Sequence, residues 1–512
     1  MFNMNRKINL ITFFALFFLT VTAIGHKVVA QDNQPSTPSF PAVRITTHGE
    51  YITNHGTPIH RDNWSNITIS VNNTETEFQF EDRIAQIRGR GNSSWNMAKQ
   101  PFRIRFGSNE SYSMLDSNHE ARHWTFIANH SDKSLMRNYS AYNLASLLDG
   151  MYVAPFARFV DVYFNDEYWG VYMLSIQTSE ITEGRVNLAY NSNPALSEFL
   201  IEMDARAYRG QVEGVDFVTV NGRHYDIRFP SGDDLTSDHV EYVRNFITKM
   251  YDLVNYHDDE IFQHIHVESF VDFYIVQELY KNPDIGFSSV FMQIRGQGND
   301  RKLEMGPVWD LDVSSGNLYN QRIGNLCRYR YRPEGHWVTR RHPWYQELMQ
   351  MPMFFDAVAI RWNQVRDVQI RQAIEHIEHM ASYYQTAFER NFERWSILGT
   401  DVWRNPAITI EIDTFLGQTE YLVNFLERRS LWLDAVLYSQ QSFNSGAIEI
   451  ILIDGVYFEY FYTTGVRVRQ VPNGFYSLGG RTFYYMDGVR QRGWVRHGEE
   501  RHRFYGLDNR MR

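Results

Sequence analysis

Residues 280–312 read YKNPDIGFSSVFMQIRGQGNDRKLEMGPVWDLD, and the organisation of the chain turns on them. Ser288 to Ile294 reads as a strand, Gly296-Gln-Gly-Asn-Asp300 as a turn and Lys302 to Trp309 as a returning strand. Arms of similar length cancel their rise, so the hairpin is expected to bring Asp284 and Asp310 to the same end of a sheet. Asp312, two residues on, can share one side of the extended segment with Asp310. Such a pair suits a Mg²⁺ ion that takes a few hard oxygen ligands and keeps water and phosphate for the rest. Asp284, one hairpin away, is placed to orient or deprotonate a nucleophile, which is the spatial logic of phosphoryl transfer. The alternative is that these acids cap helices or solvate turns.

On either side of this insert the pattern differs. Upstream, from Val43 to about Leu188, it is strand-rich: Ile67 to Val71 alternates, Ile84 to Arg88 follows, and Phe102-Arg-Ile-Arg-Phe106 puts Arg103 and Arg105 on one face. Phe159 to Phe164, a polar Asn165-Asp166-Glu167 and Tyr168 to Leu174 predict a hairpin. One helix is expected from a cap at Ser131-Asp132 to Gly150. Apolar residues at helical spacing occupy 237–256, 259–280, 344–398 and 412–438. Strands first and helices second predict an α+β domain with a helical lobe over residues 44–440.

The ends read differently again. Arg6 and Lys7 precede an apolar run, Ile8 to Ile24, that closes on Val28-Val29-Ala30, so residues 1–30 read as a cleaved secretory signal, with a retained anchor as the alternative. Residues 31–43, opening on a proline-rich run, read as a linker. No other segment is long and apolar enough to span a bilayer. With 50 Lys+Arg against 60 Asp+Glu and a formal charge of −10, bulk nucleic-acid binding is disfavoured. The single cysteine, Cys327, has no partner within the chain, so a disulfide scaffold is excluded.

A second candidate stretch is Arg88-Gly-Arg-Gly-Asn-Ser-Ser94, followed by Lys99-Gln-Pro-Phe-Arg-Ile-Arg105. A glycine-rich turn between strands lets backbone N–H groups approach phosphate oxygens, and basic side chains on the next strand can reach them. An ordinary hairpin turn is the alternative. The strings RGRGNSSW (88–95), KQPFRIRF (99–106), WTFIANHSDKSLMRN (124–138), FVDVYFNDEYWGVYML (159–174), KNPDIGFSS (281–289) and MGPVWDLD (305–312) together resemble the CotH kinase family, named for a spore-coat protein kinase. The resemblance implies an atypical, two-lobed protein-kinase-like fold that uses ATP with Mg²⁺ or Mn²⁺ to phosphorylate serine or threonine of a protein substrate. It matches Asp284 to the catalytic-loop aspartate and Asp310 to the metal-binding aspartate, with Asp312 beside it. Gly89, Gly91 and Asn92 then stand near the phosphates, and Lys99 and Arg103 match the basic positions. Three departures are visible: Ser288 and Ser289 occupy the place where relatives often carry a metal-binding Asn, which leaves Ser289 as a weaker ligand; Ile176 replaces a usual glutamate; and Gln100 replaces a common lysine.

From Ile448 the chain becomes short alternating aromatic strands with Gly and Asp-Gly turns. Arg481 to Gly488 and His502 to Asn509 align at a period of about 21 residues. Residues 481–512 resemble the cell-wall-binding repeats of Gram-positive surface proteins, which implies that residues 448–512 attach to choline or a wall polysaccharide; a small aromatic β appendage is the alternative. The combined expectation is a secreted or surface-attached CotH-like kinase, set against an inactive surface-binding protein of the same fold.

Overall fold

The computed structural model describes residues 40–437 apart from 50–55, 57, 116–119, 152, 179–187, 210, 319–331, 336 and 404, together with the strands between 448 and 504. The signal reading, most of the linker and Cys327 lie outside the described residues. Among the described residues no helix is long and apolar enough to cross a membrane.

Alternation builds the first half. Ala42–Thr47 (β1), Ser65–Asn72 (β2), Phe80–Gly89 (β3), Phe102–Arg105 (β4), His123–Ile127 (β5), Arg158–Phe164 (β6) and Glu167–Ile176 (β7) close into a barrel in the order β1-β2-β3-β4-β5-β7-β6. All its pairings are antiparallel except the closing one, in which β1 runs parallel to β6. A barrel this small must be filled by its own side chains. Ile67, Ile69, Ile87, Phe102, Ile104, Phe126 and Val162 fill it, and Phe102 stacks on Phe126 at 4.5 Å. Arg103 and Arg105 take the opposite face, as the alternation requires. The β6–β7 turn puts both Asn165 and Asp166 at positive φ, 49° and 66°, the primed geometry that matches strand twist. Strand β1 begins at Ala42, and Phe40 packs edge-on against Tyr384 at 4.9 Å, so ordered packing starts inside the expected linker.

A second sheet follows. Phe199–Met203 (β8), Phe217–Val220 (β9), Arg223–Phe229 (β10), Val290–Arg295 (β11) and Lys302–Met305 (β12) run in the order β12-β11-β8-β10-β9, wholly antiparallel. Strand β8 is central and buried along its whole length.

The helices are more broken than apolar spacing predicts. Arg137–Leu147 (α1) starts later than the expected cap, because Asp132 spends its carboxylate on the backbone N–H and guanidinium of Arg137. Ser237–Asn255 (α2) agrees with its pattern. The 259–280 pattern is interrupted before Val267–Tyr280 (α3), where the His266 side chain accepts from the Ser269 N–H as an N-cap. The 344–398 pattern divides into Pro343–Leu348 (α4), Pro352–Val365 (α5), Arg371–Tyr383 (α6) and Gln385–Arg394 (α7). Both prolines sit in the first turn, where their missing N–H costs no helical bond. Phe415–Leu437 (α8) closes the helical part, and α3, buried on every face, is its core. The described fold is therefore a mixture of helix and sheet with a β-rich N-terminal part, as α+β predicts.

In the tail, Ile448–Ile453 (β13), Val456–Phe461 (β14) and Arg467–Gln470 (β15) form one antiparallel sheet, Gly474–Leu478 (β16), Arg481–Met486 (β17) and Val489–Arg490 (β18) a second, and Gly493–His497 (β19) with Glu500–Phe504 (β20) a hairpin. Residues 505–512, most of the second repeat window, lie outside the described residues.

Candidate functional site

The β11–β12 ladder pairs Met292 with Met305 and Arg295 with Lys302, so the two arms return to one end of the sheet. There a cavity of about 470 Å³ is lined by Asp284, Ser289, Asp310 and Asp312 from one side, and by Gly91, Asn92 and Arg103 from the barrel. Seven of the nine residues singled out in the sequence thus meet in one place.

The aspartate strap is held in an unusual backbone. Asp310 has φ 63° and Ser289 φ 60°, both in the left-handed region that a side chain disfavours, and the Ser289 hydroxyl donates to Asp310 Oδ2 at 3.2 Å. Strain of about 1–3 kcal/mol per such residue persists only where the surroundings enforce it. Here Asn138 Oδ1 accepts from the Leu311 N–H at 2.6 Å, and Trp309 stacks on Tyr142 at 5.4 Å. Asp284 is presented by a short turn in which Asn282 Oδ1 accepts from its N–H at 3.1 Å. The Asp312 carboxyl is pushed well above the usual carboxylate range by burial first, and then by the negative charges of Asp310, Asp132 and Asp284. That crowding of like charge is what a bound cation relieves.

Gly91 is required by its own geometry. At φ 84° a Cβ there would lie 2.2 Å from Ser94 Oγ. Gly89 and Lys99 take other places. A Cβ on Gly89 would lie 2.1 Å from the Trp95 ring, so this glycine admits an indole, not a phosphate. Lys99 is buried under the barrel, where its ammonium donates to the Val171 carbonyl and to Asn391 Oδ1 at 2.8 Å on α7, 4.7 Å from the Tyr172 ring centroid. Burial lowers its pKa to about 7. Its placement has a simple cause: Lys99 precedes β4, whose outward face holds Arg103, and the chain turns its ammonium into the interior. Ile176 is likewise buried in the barrel, and the next residue, Gln177, reaches the cavity.

The cavity holds residues that sequence reasoning passed over. Arg90 stands in it with its guanidinium 5.8 Å from the Trp309 centroid, close enough to feel Asp310, Glu202 and Asp312. Its signal was its place between Gly89 and Gly91. Glu202 and Arg228 come from β8 and β10, with Arg228 donating to Glu202 at 2.6 Å and pairing with Asp226 at 2.8 Å. Burial raises Glu202 to about 7. An acid inside the apolar run Phe-Leu-Ile-Glu-Met was the legible sign. Arg206, paired with Asp204 at 3.4 Å, donates to Ser288 Oγ at 2.8 Å, so of the two adjacent serines Ser289 is the one that meets Asp310.

The donor set fits a hard cation with an open shell. Among the described residues no three of His, Cys, Asp and Glu form a cage of their own. Mg²⁺ needs none, because one or two carboxylates with phosphate and water complete its shell. A family model described as CotH kinase protein matches residues 87–433, well over half of the chain. The chain belongs to the CotH kinase protein family. The match covers every cavity residue named above. No curated protein matches the chain.

Proposed function

We propose that this CotH family member is an ATP-dependent protein kinase of atypical two-lobed form that phosphorylates serine or threonine on a surface or coat protein. The carrying observation is the meeting of Asp284, Asp310 and Asp312 with Arg90 and the Gly91 turn in one cavity. When bound, ATP with Mg²⁺ or Mn²⁺ supplies the phosphoryl group and a charge that offsets the aspartates. Asp310 and Asp312 hold the metal, with the Ser289 hydroxyl as a weak third donor. Arg90 and Arg103 face phosphate oxygens, and the turn at Gly91 and Asn92 offers N–H groups to them. Asp284 orients the acceptor hydroxyl and takes its proton. Positioning and charge neutralisation then provide most of the rate.

We assign residues 1–30 to export and residues 448–512 to attachment at the cell wall through a polysaccharide or choline. Mass spectrometry of exported protein, expected to find Gln31 first, and wall fractionation after truncation at Gln440 test these. A second reading, a surface-binding protein that has lost turnover, is favoured by Ile176, whose burial in the barrel leaves no ion pair at that position. Transfer of labelled phosphate from ATP with Mg²⁺ or Mn²⁺ decides between them. Wild-type protein that binds no nucleotide with either metal overturns the kinase reading.

A further inference from the structure

Beside the cavity lies a cationic cluster of which the chemistry above uses only Arg103. Trp64 is ringed by three guanidinium groups, with Arg105 at 4.1 Å, Arg88 at 5.1 Å and Arg103 at 5.2 Å from its centroid. The His123 ring stacks on it at 6.2 Å. Strand register puts Arg88 directly opposite Arg103, and Arg105 directly opposite His123. Two guanidinium groups directly across a ladder are unfavourable, so the fold does not profit from the Arg88–Arg103 pair.

The cations are also poorly answered from within. Among the described residues no carboxylate forms an ion pair with Arg88, Arg103 or Arg105. Arg88 reaches the Asp62 carbonyl, at 3.5 Å, and feels the Asp62 carboxylate without pairing with it, while Arg105 Nε donates to the neutral Gln86 at 2.8 Å. The Asp62 carboxylate is 3.9 Å from Arg61 and largely exposed. The Nε groups of Arg88 and Arg103 are buried without a hydrogen-bond partner. The local field is strong enough that His123, already disfavoured as a cation by burial, is pushed down to about 4 by Arg122, Arg105 and Arg88.

We propose that Trp64, Arg88, Arg103 and Arg105 dock an anionic segment of the acceptor polypeptide, carried by carboxylates or by phosphorylated residues. Planar guanidinium forks on an aromatic platform suit carboxylate and phosphate oxygens alike. Arg103 belongs to both places, since it also lines the cavity of Asp284, so a segment seated on Trp64 leads directly to the transfer site. The chain as a whole carries −10, so the cluster is a local exception and not part of a general polyanion-binding field. The assignment of the segment to an acceptor rests on the phosphotransfer reading.

The test is fluorescence anisotropy with full-length protein and no ATP, using one serine peptide in three versions: aspartate-flanked, phosphoserine-flanked and asparagine-flanked. Both anionic peptides are expected to bind at least about tenfold tighter than the neutral one, and their ratio tells carboxylate from phosphate. The double variant Arg88→Gln/Arg105→Gln should lose that preference while keeping neutral-peptide binding and melting temperature. Arg88→Lys/Arg105→Lys, a folding control that keeps the charge, should recover part of it. Equal binding of all three peptides, or a double variant that binds like wild type, overturns the proposal. Inorganic polyphosphate that displaces the peptides at lower charge-equivalent concentration overturns the polypeptide assignment. Anionic preference without any phosphate transfer would sink the kinase reading and with it the acceptor assignment, leaving an anionic-polypeptide site, whereas transfer without the preference would sink only the docking site.

Discussion

Two regions of this chain bury charge, and they treat it in opposite ways. Under α3, the Arg429 guanidinium meets Glu278 at 2.6 Å and also donates to the carbonyls of Glu278, Pro333 and Gly335, while Glu278 accepts from the N–H groups of Val338 and Thr339. Every polar group of that pair is answered from within the chain. In the cavity, Arg90 makes no side-chain hydrogen bond or ion pair with a described residue, and Asp312 is crowded by three other acids. Desolvated charge is tolerable only when paired. The first region is complete as folded, whereas the second leaves charges of both signs facing a cavity, which on the proposed reading a metal with phosphate would answer.

The largest effect should come from breaking the complete region. Arg429→Met leaves Glu278 buried and unpaired, and should cost about 3–5 kcal/mol of stability by urea denaturation. A loss under ~1 kcal/mol would show that the helical core tolerates an unanswered carboxylate, and the contrast would fail. Next, Asp284→Asn should lower turnover on the order of a hundredfold or more at unchanged melting temperature and nearly unchanged nucleotide affinity, since a group that orients the hydroxyl acts mainly in the transition state. Equal losses in binding and turnover by calorimetry and transfer assay would move Asp284 to the nucleotide. Asp310→Asn is the sharper metal test, because asparagine accepts the left-handed backbone that alanine resists. It should weaken Mg²⁺-dependent nucleotide binding roughly tenfold or more, about 1.4 kcal/mol, without loss of stability.

Arg90→Leu should weaken nucleotide binding by about tenfold yet leave the protein about as stable as before, because its guanidinium makes no side-chain hydrogen bond or ion pair with a described residue and only feels the cavity acids at longer range. A destabilised variant would place Arg90 among the structural arginines. The smallest effect belongs to Lys99. Its folded pKa, about 7, lies below its unfolded value, so the unfolded chain binds more protons between those values and stability from this group rises with pH above about 7. Lys99→Met should flatten that rise when melting temperatures are compared between pH 7 and 9. Parallel pH profiles for the two proteins would show that the ammonium stays charged in the fold.

Much of the architecture was legible because period is a local property. Phe102-Arg-Ile-Arg-Phe106 states its two faces residue by residue, and the β11–β12 arms state that Asp284 and Asp310 must return to one end. Helix ends were less legible. Ile265, Tyr384 and the π-helical turn Arg366–Ile370 interrupt patterns whose apolar spacing continues across them, and only packing decides where such a helix stops.

What the sequence determined by itself is therefore the facing of each strand, the carboxylate hairpin and the strings that mark the family. The tertiary structure decided which charged residues share a solvent-poor space. Lys99 and Arg103 are four residues apart and equally basic, yet one ends beneath the barrel on Asn391 and the other at the cavity. Glu202 and Arg228 become neighbours only because β10 pairs with β8, setting Asp226 opposite Glu202. Whether a charge is a core strut or a ligand's partner depends on what is packed around it, and that is set by elements remote in the chain, which no local pattern encodes.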